Sequence, residues 1–430
     1  MNFKKVYLLF SRIILSSLFR ASGIYTAASF INAMIPLILL PILTRELSPA
    51  DYGIVAMFQL TVGIIYPFIG MNLEGSIIRK YYYKDGSDFP AYVGTSFILI
   101  VVSLLVISFL FWVNIDYIQD LTQIPRPWLK YALLVSVSQF VVSAMLAIFQ
   151  VKVKPIKYAL LQISQSILNI SLTVILIVGF NKTWDGRIEA QAVTMVVFAV
   201  ISFYILIRNN QIKINILKKD IQHALKFGIP LIPHAIGGIL FTTIDRIFLT
   251  NLIGLEQTGN FSVSYQIAAV IGLITVSFNN AFVPWLFENL NKNSLAIKRK
   301  IVKLTYLYFV SLLICAILLI LLFPFLVNVF VGSSYKSVNT YSAFIIFGFV
   351  FQGMYFMVTN YITYVEKTYL LAASTISVAL LKVPITYYSI IWFGEIGAAL
   401  SYAITFFIFF IATWILSLRV YKMPWFTFFK

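Results

Sequence analysis

Histidine occurs twice and cysteine once among the 430 residues. That scarcity excludes a Cys/His metal cluster with ligand spacing, and the lone Cys315, set in an apolar run, has no intrachain disulfide partner. Charge is scarce as well. Asp, Glu, Lys and Arg make up 11% of the chain, against about 25% in ordinary soluble domains. Also missing are a Walker loop, a zinc motif and a nucleophile elbow. No cofactor or metal is expected, the chain is not expected to be an enzyme, and its energy must come from outside nucleotide hydrolysis. Long polar stretches are absent too, which leaves no room for a soluble domain.

What is abundant is apolar sequence, at 60% of residues. Twelve apolar runs lie between residues 24 and 418, most near the roughly 20 residues that cross hydrocarbon. The expectation is an all-α polytopic membrane protein with twelve transmembrane helices. The net charge of +17 does not call for nucleic acid, because the 32 Lys and Arg residues are unevenly placed. They crowd alternate loops, as in the cluster Lys298, Arg299, Lys300 and Lys303, while the other loops are poor in bases. The crowded face is read as cytoplasmic, with both termini there, facing anionic membrane lipids. Residues 1–23 read as a short amphipathic cytoplasmic segment, with Phe3, Val6, Phe10 and Ile13 along one side. Residues 24–208 form a first six-helix lobe, 209–228 a cytoplasmic linker, 229–418 a second lobe and 419–430 a cytoplasmic tail.

The two lobes echo each other. "LTRELSPADYG" ends the first span, and "LTNLIGLEQTG" ends the seventh. Leu43, Thr44 and Gly53 recur as Leu249, Thr250 and Gly259. Each stretch reads as an outer hairpin whose closing glycine permits a tight turn into the next helix. Six spans per copy is an even number, so the copies share one orientation. Two parallel repeats around a central cavity suggest a transporter.

An ionisable side chain inside a span costs about 2.5 to 3.5 kcal/mol on insertion scales, so each such residue is a candidate. Lys382 is the deepest, with Thr375, Thr386 and Ser389 near its face. It reads either as a cationic contact for an anionic substrate or as a lysine paired within the bundle. Asp245 and Arg246 lie about one turn from the outer end of the seventh span. They read as a functional pair or as an interfacial one. His234, Gly238, Thr242 and Asp245 share a face, so Asp245 and His234 are candidates for ion coupling. Gln162, Gln165, Asn169 and Thr173 form one polar stripe on the fifth span, suited to sugar hydroxyls or to interhelical hydrogen bonding. Asn32 and Asn360 add buried amides, and Arg79 stands at the inner end of the second span, where it could receive a phosphate.

Three blocks carry a family likeness: "LPILTRELSPADYGIVAMF", "EGSIIRKYY" and "KFGIPLIPHAIGGILFTTIDRIFLTNLIGLEQTGNFSVSYQ". They resemble the Wzx-type polysaccharide flippases, members of the multidrug/oligosaccharidyl-lipid/polysaccharide exporter superfamily that also holds the MATE transporters. The resemblance implies a MATE-like pair of bundles in a bacterial inner membrane. It implies a cargo of undecaprenyl-diphosphate-linked O-antigen or capsule repeat units, moved from the inner to the outer leaflet by alternating access and coupled to an ion gradient. A polysaccharide polymerase and a chain-length regulator are the implied partners. Two alternatives stay open. One is a MATE-like cation-coupled antiporter, which would want more cavity acids than Asp245. The other is a membrane polysaccharide polymerase, disfavoured by the short outer loops.

Overall fold

A computed structural model describes residues 17–82, 88–215, 217–292 and 294–425, with the side chains of residues 17–22, His234 and Thr368 outside the description. The expected amphipathic segment 1–23 therefore lies almost wholly outside the described residues. Among the described residues, twelve helices are long and apolar enough to cross a membrane. The chain is an all-α, multi-pass membrane protein.

The elements run α1 Ser17–Glu46, α2 Pro49–Gly70, α3 Leu73–Tyr82, α4 Phe89–Val113, α5 Ile115–Thr122, α6 Arg126–Val151, α7 Pro155–Val174 and α8 Trp184–Arg208. They continue with α9 Lys218–Gly228, α10 Ile232–Leu252, α11 Leu255–Asn291, α12 Leu295–Phe330, α13 Val338–Tyr364, α14 Thr368–Phe393 and α15 Glu395–Val420. A helix satisfies all its backbone polar groups within one segment, as hydrocarbon surroundings require. Its interruptions are local. Met71 and Asn72 take left-handed φ of 47° and 49° and separate α2 from α3. The last turn of α7 relaxes into a π-turn over Ile175–Gly179.

The chain divides into two compact units. One holds the residues up to Ile42 together with Phe58–Ile236; the other holds Leu43–Met57 and Gly237–Lys430. The tip of the first hairpin thus packs with the second unit, although its helices continue into the first. Ser48 caps α2 there: its Oγ donates to Asp51 Oδ2 (2.6 Å), and the Asp51 amide donates back to Ser48 Oγ (3.2 Å). Proline at the first helical position, Pro49, lacks an N–H that would have no partner there.

The two echoing hairpins meet inside this second unit, and that revises the role of their glycines. A Cβ on Gly53 would lie 2.2 Å from the Leu255 carbonyl oxygen. One on Gly259 would lie 1.8 Å from the Pro49 carbonyl oxygen and 3.1 Å from the Gly53 nitrogen. Both sit inside or next to regular helix, with no left-handed turn. They are bare so that two backbones can touch. Around them, Thr44 Oγ1 donates to the Phe330 carbonyl (3.3 Å) and accepts from the Gly332 amide (3.1 Å). Tyr335 donates to the Leu47 carbonyl (3.1 Å), and Tyr52 donates to Gln266 (2.7 Å). Thr44, Arg45 and Tyr52 of the hairpin are thereby held in tertiary hydrogen bonds.

Candidate functional site

In the second unit, consecutive turns of two helices face each other. Phe241 and Asp245 stand one turn apart on α10; Lys382 and Thr386 stand one turn apart on α14. The spacing puts ammonium opposite carboxylate. Lys382 Nζ donates to Asp245 Oδ2 at 2.6 Å and to the Phe241 carbonyl at 2.5 Å. Asp245 Oδ1 accepts from Thr386 Oγ1 (3.1 Å) and from Ser401 Oγ on α15 (3.2 Å). Each carboxylate oxygen thus has a charge or a hydroxyl, which a buried anion requires. The side chains are 1% and 0% exposed. The rings of Phe241 and Tyr402 lie 5.4 and 5.2 Å from the ammonium and close the remaining sides. The Asp245 side chain is enclosed among α10, α14 and α15.

Arg246 projects elsewhere, as the 100° step along a helix dictates. Its Nε donates to Ser262 Oγ (3.1 Å), and its guanidinium lies 4.5 Å over the Tyr265 ring. Tyr265 in turn packs edge-on against Tyr402 at 5.5 Å. Two aromatic rings therefore connect the buried pair to a second cation. This is a polar cluster of four chain segments in which one enclosed ammonium answers one enclosed carboxylate. His234 lies on α10, but its side chain is outside the described residues. Asn360 Nδ2 donates to Asn279 Oδ1 (2.9 Å).

The first unit receives the polar stripe of α7. Ser166 donates to Asn32 Oδ1 on α1 (2.8 Å). Arg187 on α8 donates to Asn169 Oδ1 (3.1 Å) and Thr173 Oγ1 (3.3 Å), and Gln165 reaches Met195 Sδ. Gln162 keeps a buried Oε1 without a hydrogen-bond donor. Most of the stripe thus serves helix–helix contact, with Gln162 as its exception. A second amide pair, Gln59 with Gln191, joins α2 to α8. Arg79 is exposed at the end of α3, with its guanidinium 5.5 Å from the Phe227 ring of α9.

Sequence reading overlooked several residues of these clusters. Ser401, Tyr402 and Tyr265 carry no signal of their own in an apolar, aromatic-rich span. Asp220 and Phe227 lay in a stretch read only as a linker. Glu74 also went unremarked, yet it is largely enclosed at the start of α3 and accepts from Tyr66 (3.1 Å), while Oε2 has no hydrogen-bond partner. Burial pushes its carboxyl above the usual carboxylate range. A carboxyl whose folded-state pKa is raised stabilises the fold while protonated, and that stabilisation is lost as pH rises from the ordinary carboxylate range through the folded value. Glu74→Gln is therefore expected to melt like the parent at pH 4 and several degrees higher at pH 8. Melting curves that stay superimposed at both pH values would rule out the neutral carboxyl.

Comparison with known proteins follows from this architecture. The sequence model of a family described as polysaccharide biosynthesis protein matches residues 18–290. An uncharacterized membrane protein of Haemophilus influenzae is 26% identical over 366 residues, covering 82% of this chain and 85% of its own length. The Lsg locus putative protein 1 of the same organism is 23% identical, covering 83% and 88%. Among solved structures, the inward-facing conformation of a multidrug resistance MATE family transporter of the MOP superfamily aligns with a TM-score of 0.73 at 15% identity, over 90% of this chain and 94% of that one. The lipid II flippase MurJ, in an inward closed conformation, aligns with a TM-score of 0.71 at 15% identity, over 92% and 87%. The structural likeness is one of fold.

Proposed function

The chain belongs to the polysaccharide biosynthesis protein family, and from that premise we propose that it flips undecaprenyl-diphosphate-linked oligosaccharide repeat units from the cytoplasmic to the outer leaflet by alternating access. The family match over residues 18–290 is the observation that carries this reading. The fold shared with the MurJ flippase supports it. In this reading the lysine-rich face is cytoplasmic, the membrane is a bacterial inner membrane and the protein performs transport without chemistry. A polysaccharide polymerase and a chain-length regulator act downstream on the flipped units.

The residues divide by chemistry. A diphosphate wants cations in a dehydrated site. Arg79 meets it at the cytoplasmic surface, and Lys382 with Arg246 serves it in the second unit. Sugars want amides, and Gln162 supplies one with its unpartnered Oε1, while Gln165, Asn169, Asn32 and Asn360 are engaged by neighbouring side chains. Asp245, with His234 on the same helix, couples transport to an ion gradient. The Lys382–Asp245 pair suggests how. A proton on Asp245 removes the counter-charge of Lys382 and frees its ammonium for the headgroup. Headgroup and proton then favour each other's binding, as reciprocal linkage demands.

The test is transport of a labelled undecaprenyl-diphosphate oligosaccharide into proteoliposomes, with and without a proton gradient. Asp245→Asn imitates the protonated carboxyl. It is expected to keep headgroup binding and to lose gradient stimulation; stimulation equal to the parent's removes Asp245 from coupling. In cells, loss of the protein is expected to leave lipid-linked repeat units on the inner leaflet. Drug sensitivity in place of that accumulation favours an antiporter.

A further inference from the structure

The stretch between the sixth and seventh spans is built into the first unit. A Cβ on Gly94 would meet the Lys213 carbonyl oxygen at 2.2 Å, and one on Gly228 would meet the Met71 carbonyl oxygen at 2.0 Å. Lys213 is further held to α4 by its amide, which donates to the Pro90 carbonyl (3.0 Å), and by its ammonium on Asp88 (3.0 Å). Asp220, Ala224 and Gly228 are buried on successive turns of α9, one face against α3 and α4. His223 Nδ1 shares a hydrogen bond with Tyr92 (2.8 Å).

This docked helix treats two adjacent bases differently. Lys80 turns inward, 3.5 Å from the fully buried Asp220 and 5.1 Å over the Tyr92 ring. Its charge is spent inside the fold. Arg79 stays exposed with its guanidinium over Phe227. The Phe227 ring is itself seated against Gly75, where a Cβ would stand 3.4 Å away. A guanidinium resting on a ring keeps its edge N–H donors free for a bidentate phosphate contact.

We infer that α9 positions Arg79 for a diphosphate headgroup: Phe227 fixes the guanidinium, and Asp220 withdraws Lys80 from competition. This rests on the flippase reading of Arg79. Phe227 is the positioning residue, acting through Arg79; Lys80 and Asp220 stand outside the headgroup contact.

Purified full-length protein is titrated with undecaprenyl diphosphate, undecaprenyl monophosphate, inorganic diphosphate and phosphatidylglycerol, and its melting is recorded in parallel. Arg79→Gln is expected to weaken undecaprenyl diphosphate binding about tenfold. Phe227→Leu, which keeps an apolar side chain and removes the π face, is expected to weaken it about three- to tenfold with melting unchanged. Phe227→Trp is expected to restore parental affinity. Lys80→Met combined with Asp220→Asn is expected to stay within about twofold of the parent. If Arg79→Gln binds normally, the headgroup role of Arg79 fails and this inference with it. If Arg79→Gln loses binding while Phe227→Leu retains it, only the positioning role is overturned. Loss of binding in the Lys80/Asp220 double variant makes Lys80 a ligand and overturns the division of labour. Equal affinity for inorganic diphosphate or phosphatidylglycerol overturns the lipid-diphosphate assignment.

Discussion

Lys382→Ala is expected to abolish transport and also to lower the amount of folded protein. The second effect follows from the pair with Asp245, whose carboxylate is left buried without a counter-charge. Breaking one partner of such a pair typically costs about 3 to 5 kcal/mol. A transport assay on this variant alone confuses folding with function. Lys382→Met combined with Asp245→Asn removes both charges while keeping the two shapes, and replacing a whole buried pair is often close to neutral. The double variant is expected to recover melting temperature and expression and to remain inactive. Restored transport in the double variant would make the pair purely structural and remove Lys382 from headgroup handling.

Gly259→Ala is expected to be the most destabilising glycine-to-alanine change among the described residues. The added carbon would stand 1.8 Å from a backbone oxygen, Pro49 O, which cannot swing aside as a flexible side chain can. The two hairpins must separate, and the hydrogen bonds that Thr44, Tyr52 and Tyr335 make around them are strained in turn. Overpacking of about 1 to 3 kcal/mol in ordinary cores is a lower bound here. The control lies on α10, where Gly237 and Gly238 have nothing within 4 Å of a built Cβ. Alanine there is expected to be neutral or to stabilise by about 0.4 to 1 kcal/mol through the unfolded chain. Thermal melting in detergent reads both. A Gly259→Ala protein that melts with the parent would show that the hairpins do not touch as described.

The polar stripe of α7 shows how far sequence reading reaches. The repeat Gln162, Gln165, Asn169 and Thr173 correctly marks one face as wanting polar company. It does not say whether that company is protein or cargo. The answer came from α8, whose Arg187 takes Asn169 and Thr173 and whose Met195 meets Gln165, leaving Gln162 Oε1 without a donor. Helical spacing is a local property, whereas a partner is supplied by another helix. Asp245 teaches the same lesson in depth. Its distance along the chain from the span's end suggested an interfacial place, but its exposure is set by α14 and α15.

The sequence by itself determined the number of spans, their all-α character, the uneven distribution of bases between loops, the repeat and the family. These depend on the length of apolar runs and on charge in neighbouring loops, quantities that a stretch of chain carries alone. Only the tertiary structure decided that Lys382 answers Asp245, 137 residues away. Only it decided that the echoing hairpins touch glycine to backbone, and that Asp220 and Phe227 sort two neighbouring bases into one buried and one exposed. Each of those outcomes is a meeting of groups from separate helices, and the spacing along one helix can mark a face without naming the residue that meets it.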